Sequence, residues 1–415
     1  MASEANASDE QFAGESVGLA HVATVSFLAS RAAPSLQFFF ALGGGIALAR
    51  TALTRGARAG YGSAVAAMLQ TVAVMGPARF NGPLTQAITA PMMGRLQARG
   101  ARPLTEFLAC LVLRLIHYAV LLAAFIYVIL GGVDEFTGSY ETLTGWLGIV
   151  PQGPTAAIAV TAAGQTLWAM FFSALQVIVY RRALRSWPEP EPPAAGAGVA
   201  GVAGEEHGPG RFDPRAVVLA AALASALLLA STSWTLLLAV TAWLVPAWLL
   251  SRPDNDAVRL GVLLAALLAF AALTGGLLSG AGLEVTLRRA LRAVLLVAVA
   301  TWMRAAAGAP GLRETFRRAL HRLRAIPSVP EAARVLEGLD SGPQLVAAGR
   351  AAADRFADVE LKPAELADTV TAWVASESTG YRAGAPAPAR PLRLRVPDAV
   401  LVALTLAPAL AFLGG

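Results

Sequence analysis

The sequence has one lysine, Lys362, one cysteine, Cys110, and four histidines in 415 residues. A lone cysteine excludes an intrachain disulfide framework and a cysteine zinc site. The histidines form no HxxxH or HExxH pair, so no metal site is signalled. Lys362 follows no glycine-rich loop, so the chain is not itself a P-loop ATPase. Carboxylates and histidines are not clustered, which ranks an enzyme last: the chain is read as non-catalytic, with no cofactor of its own. Charge is also scarce. Charged residues make up 14%, against about a quarter in soluble domains.

Apolar sequence is abundant instead, at 56% of residues, with a mean hydropathy of +0.58. It gathers into runs long enough for membrane helices at 104–130, 155–180, 216–231, 236–250, 260–278, 287–303 and 396–413. The alternation a barrel needs is absent. The fold class read from this is an all-α polytopic membrane protein, multi-pass in the cell (inner) membrane. The net charge of +6 would suggest nucleic acid for a soluble protein. Here the arginines flank apolar runs, and the positive-inside effect accounts for them without nucleic acid as a partner.

Residues 1–15 are polar and acidic and read as a disordered tail. Apolar stretches at 18–30 and 34–50 follow, either an interfacial helix and a span or two short spans. Between 61 and 94 a break at Asn81-Gly82-Pro83 separates two apolar segments. It reads as a there-and-back pair with a site at the break, or as an ordinary surface turn. Gly43-Gly44-Gly45 reads as a helix-packing patch. In the run 104–130, Arg114 and His117 are three apart and share a helix face. Ionisable groups inside a span face the bundle interior or a cavity, so Arg114 and His117, with Asn81 at the break, are the candidate substrate contacts. The structural alternative is that Arg114 snorkels, or pairs with Glu106 or a backbone carbonyl.

Residues 187–210 are rich in Pro, Gly and Ala and read as a linker between two helical membrane units, 16–186 and 211–415. The second unit opens at Asp213-Pro214-Arg215, a helix cap followed by a first-turn proline. Arg288, Arg289 and Arg292 fall at the outer end of their span, against the positive-inside count. Residues 312–323 carry apolar positions at helical spacing with arginines opposite. Further helical patterns continue to about 380. After them come Gly380-Tyr381-Arg382, then Arg390-Pro391-Leu392-Arg393-Leu394-Arg395 before the last span.

That order resembles the transmembrane T component of energy-coupling factor (ECF) transporters over about 211–415: an Asp-Pro-Arg start, a four-span block, polar helices and a Gly-Tyr-Arg exit. The resemblance implies that cytoplasmic amphipathic helices 312–380 are coupling helices docking ABC-type ATPase subunits, which bind ATP and Mg. It places the contacts at Ser378, Thr379, Gly380, Tyr381 and Arg382, with Gly349 and Arg350 as a first motif. Thr379 stands where the family has arginine, and threonine does not supply its forked charge. The function implied is uptake of a micronutrient, a vitamin or metal ion. The resemblance leaves the first half unassigned; its size, its break at 81–83 and its fusion to the T-like unit suggest a substrate-binding unit, and a separate substrate-binding membrane protein is the other candidate partner. The alternative is a membrane scaffold or regulatory protein that kept a T-like fold and lost coupling.

Overall fold

The structure, a computed structural model, describes residues 2–32, 34–77, 81–130, 132–145, 148, 153–188, 212–251, 255–278, 280–340, 342–357, 365–381 and 394–413. The described residues form fifteen α-helices and no strands, an all-α polytopic membrane protein. They are α1 (Ala2–Ala32), α2 (Gln37–Arg55), α3 (Ala57–Met75), α4 (Asn81–Ala98), α5 (Pro103–Ala123), α6 (Val133–Gly145), α7 (Gly153–Arg185), α8 (Pro214–Ala230), α9 (Trp234–Ser251), α10 (Asn255–Leu278), α11 (Leu283–Arg322), α12 (Val329–Gly338), α13 (Gly342–Ala357), α14 (Leu366–Gly380) and α15 (Val396–Leu413). The end of α5 runs on as a π-turn, Ala124–Leu130.

Four helices are long and apolar enough to span a membrane: Pro103–Tyr127, Gly153–Arg185, Trp234–Ser251 and Leu283–Arg322. Pro214–Ala230, Gly261–Leu277 and Val396–Ala409 are shorter apolar helices. α5 shows how such a helix is made. Leu104, Leu108, Val112, Ile116 and Val120 recur every four residues and are 49–65% exposed, while Glu106, Cys110, Arg114 and His117 on the opposite side are buried. This reverses the soluble amphipathic pattern, and the exposed row faces lipid.

α1–α4 are not among the spans. With α12–α14 they form an inner bundle around α2. Three successive glycines of α2 each meet a different helix, because neighbouring residues point about 100° apart. A Cβ on Gly43 would lie 2.9 Å from Trp373 of α14, on Gly44 2.5 Å from Phe27 of α1, and on Gly45 1.6 Å from the Tyr180 hydroxyl of α7. The glycine patch is a packing device, on a helix enclosed by protein. Phe39 and Phe40 of α2 meet Phe356 of α13 and Trp373 of α14 at ring-centroid distances of 4.5–6.1 Å. Each such aromatic pair contributes about 0.5–1.5 kcal/mol beyond burial.

These contacts correct three expectations. The division into units at 187–210 does not hold in the core: α12–α14 belong to the same hydrophobic clusters as α1–α4 and α7. Of the linker, Trp187 is described, and it lies under the Arg50 guanidinium at 4.8 Å; 189–210 fall outside the described residues. Residues 2–15 are helical, not a tail. Ala, Glu and Gln there favour helix, and they extend a helix anchored by the buried stretch from Ser16 to Ser30. The break at 81–83 is the first turn of α4, the described non-helical residue before it being Gly76 (φ 83°).

α7 and α11 join the spans to the inner bundle. At 33 and 40 residues they are about 50 and 60 Å long, well beyond a hydrocarbon core of about 30 Å. At the end of α7, Arg182 makes a forked pair with Asp368 of α14 at 2.9 and 2.5 Å. α11 breaks its helical geometry at Gly308 (φ 68°, ψ 159°), two residues before Pro310.

Candidate functional site

α11 carries three arginines that each reach carbonyl oxygens at the end of another helix. Arg292, 3% exposed, donates from Nε to Leu228 O at 2.5 Å and from Nη2 to Leu229 O at 3.0 Å, in the last turn of α8. Arg304 Nε donates to Val74 O at 2.7 Å, at the end of α3. Arg313 Nη2 donates to Leu336 O and Leu339 O, each at 2.7 Å, and to Glu337 O at 3.1 Å, at the end of α12. The last carbonyls of a helix lack intrahelical partners and carry its negative pole, so a guanidinium there satisfies both. This explains Arg292 at the supposed outer end. It caps α8 and is not a topological signal.

The end of α12 is also a meeting point. Tyr381, which follows α14, donates to Gly338 O at 2.6 Å and bonds Asp340 Oδ1 at 3.3 Å. Gln70 of α3 and Arg313 of α11 donate to Asp340 O at 3.2 and 3.3 Å. His21 of α1 stacks on the Tyr381 ring at 4.1 Å between centroids. Its Nδ1 is 3.6 Å from Asp340 Oδ2, outside hydrogen-bond reach. Burial pushes the His21 pKa down to about 4, and pushes Asp340 and Tyr381 up. His21 is therefore neutral at pH 7. Five elements meet in this hub, whose members stand at 21, 70, 313, 340 and 381.

A second polar cluster lies between α4, α5 and α7. Arg114 Nη2 donates to Gln176 Oε1 at 2.5 Å and Nη1 to the Tyr118 hydroxyl at 3.4 Å. Gln176 Nε2 donates to Thr89 Oγ1 at 2.9 Å, and Cys110 Sγ lies 3.3 Å from Gln176 Oε1. Above it, the Tyr180 hydroxyl donates to Gln86 Oε1 at 2.6 Å. Glu106 pairs with Arg181 at 2.5 Å, so it is not the partner of Arg114. Arg114 is held by neutral oxygens and neither snorkels nor forms an ion pair among the described residues. Its Nε is buried with no hydrogen-bond partner. His117 is 8% exposed beside it. Asn81 opens α4, and its side chain lies outside the described residues; the bond of Tyr61 to Ile88 O at 3.2 Å ties the middle of α4 to α3.

The expected ATPase contacts are divided by the fold. Ser378, Thr379 and Gly380 are the last turn of α14. Ser378 is buried, its carbonyl 2.6 Å from where a Cβ on Gly18 would stand, whereas Thr379 and Gly380 are exposed. Thr379 Oγ1 donates back to Ala375 O at 2.9 Å. Gly349 is buried against Leu28 and Ala29 of α1, and Arg350 is exposed. Tyr381 is turned into the hub. Arg382 lies outside the described residues. Gly14-Glu15-Ser16-Val17-Gly18 has the spacing of a nucleophile elbow, but it lies within the continuous helix α1 and has no strand-to-helix turn. Among the described residues no group of three or more His, Cys, Asp or Glu could hold a metal. The chain matches no family model, no curated protein and no solved structure.

Proposed function

We propose that the chain is a non-catalytic membrane subunit of an ECF-type importer. In this reading it passes the motion of ABC-type ATPase subunits, which hold ATP and Mg, to a substrate-binding membrane unit for uptake of a vitamin or metal ion. One observation carries the reading. α11 runs from the end of α8 through the spans to the inner bundle, and Arg292, Arg304 and Arg313 tie it to α8, α3 and α12. A displacement of α12 is thereby carried to α8. The exposed Arg350, Thr379 and Gly380 form the ATPase-facing surface. The buried Arg114 and His117 mark where an anionic or polar substrate group approaches.

A second reading, a membrane scaffold or regulator without coupling, is favoured by the burial of α12–α14 in the chain's own core and by Thr379 in the arginine position. Pulldown of the tagged full chain from native membranes separates the two. Copurification of an ABC ATPase with wild type, and its release by Arg350→Glu, supports the importer. If no ATPase is retained under conditions that hold a known ABC complex together, the scaffold reading replaces it.

A further inference from the structure

Arg114 stands near the middle of the 25-residue span Pro103–Tyr127 and is 5% exposed. Its hydrogen bonds go to neutral groups, Gln176 Oε1 at 2.5 Å and the Tyr118 hydroxyl at 3.4 Å. Its Nε–H is buried and has no partner. The Cys110 thiol, which donates to Gln176 Oε1 at 3.3 Å, lies beside the Arg114, Thr89 and Ser173 side chains. His117 and Tyr180 are the other titratable neighbours. Among the described residues no carboxylate pairs with Arg114.

The same α5–α7 interface treats another cation differently. Arg181 pairs with the buried Glu106, two turns along α5 from Arg114. Arg185 also faces Glu106, so that carboxylate serves two cations already and leaves none for Arg114. A guanidinium held inside a membrane protein by neutral acceptors alone keeps much of its desolvation cost until an anion joins it. The middle of the spans is also where membrane transporters bind their substrates.

We propose that this cluster binds a carboxylate monoanion, with Arg114 as its counter-ion. One uncompensated charge matches a monoanion, and a planar pair of oxygens suits a guanidinium better than a spherical ion does. The carboxylate takes the unpartnered Nε–H and supplies the negative charge that Gln176 and Tyr118 lack. Tyr118, partly exposed and bonded at the long distance of 3.4 Å, is the acceptor that competes with it. A metal cation meets Arg114 with the wrong sign, so the transported nutrient is an organic acid. That the ligand is the transported substrate rests on the importer reading; its binding does not.

The experiment is a thermal-shift titration of the detergent-solubilised full chain, without ATPases, at fixed pH and ionic strength. The probes are sodium acetate, its neutral isostere acetamide, and sodium chloride. Saturable stabilisation by acetate alone is expected. Arg114→Gln should weaken acetate binding roughly tenfold or more, the worth of a charge-assisted hydrogen bond. Tyr118→Phe removes the competing hydroxyl and should tighten it roughly two- to tenfold. Arg324→Gln, which removes a charge from the exposed turn after α11, should leave it unchanged. Should Arg114→Gln fail to fold, Tyr118→Phe decides alone: tightening supports the site, and unchanged affinity overturns it. Equal stabilisation by chloride overturns the carboxylate class, and equal stabilisation by acetamide overturns the role of charge. No stabilisation by acetate, or equal weakening by Arg114→Gln and Arg324→Gln, overturns the site and leaves the coupling reading to its own pulldown.

Discussion

Arg292 Nε donates to Leu228 O at 2.5 Å, closing the end of α8 with a side chain from α11. The guanidinium and the helix end satisfy each other in a region poor in water, so removing one strands the other. Arg292→Ala should cost about 2–4 kcal/mol, as expected for a lost charge-assisted bond with buried carbonyls left unpaired. Lysine keeps the charge but not the fork, and should recover only part. Melting curves in detergent provide the check. An alanine variant as stable as wild type would show that the cap contributes nothing.

The hub around Asp340 makes stability depend on pH. His21 titrates near 6.5 when unfolded and near 4 when folded. Its folded pKa is the lower one, so its contribution is full above about pH 6.5 and is lost as pH falls toward 4. The loss amounts to about 3 kcal/mol. Asp340, raised by burial, acts in the opposite sense and offsets part of it. His21→Phe keeps a ring to stack on Tyr381 but does not titrate. Its melting temperature should fall less than that of wild type between pH 7 and 4.5. Identical slopes for the two proteins would remove His21 from the account.

Gln176 supplies the acceptor that Arg114 uses at 2.5 Å. Gln176→Leu leaves a buried cation with only its 3.4 Å bond to the Tyr118 hydroxyl and should cost about 3–5 kcal/mol. Replacing both residues with leucine removes cation and acceptor together and should be less damaging than the sum of the single changes. A double-mutant cycle with coupling above about 1 kcal/mol is expected. Strict additivity would mean that the two side chains act separately.

Gly308 holds φ 68° and ψ 159°, a backbone region essentially closed to other residues. Gly308→Ala should cost about 1–3 kcal/mol. Gly275→Ala in α10 is the contrasting substitution. Its Cβ meets nothing within 4 Å, and alanine favours helix by about 0.5–1 kcal/mol. Equal effects of the two would argue against strain at the α11 break.

The spans were legible because a span is written in consecutive residues: the apolar row of α5 is visible as Leu104, Leu108, Val112, Ile116 and Val120. Gly43-Gly44-Gly45 was legible as a close-approach surface for the same reason. The partners of those glycines were not. Trp373, Phe27 and Tyr180 are scattered along the chain, and nothing local says which of them faces which glycine. The same holds for the hub, where Asp340 joins residues more than 300 positions apart. Arg292 misled the topology reading because composition registers a charge but not the helix end that uses it. Arg114 and His117 were correctly placed on one buried face of a span. The oxygen that holds Arg114 belongs to α7, and spacing within α5 does not reveal it.

The position of α2 also has a consequence in time. Phe39, Phe40 and Gly43 emerge from the ribosome more than 300 residues before their cover, Phe356 and Trp373. Until then that aromatic face stays open, and α1–α4 cannot complete a fold domain by domain as they emerge. A stop codon before residue 366 therefore does more than shorten the protein. It leaves the first helices without one wall of their core, a nascent species for chaperones and quality-control proteases to recognise.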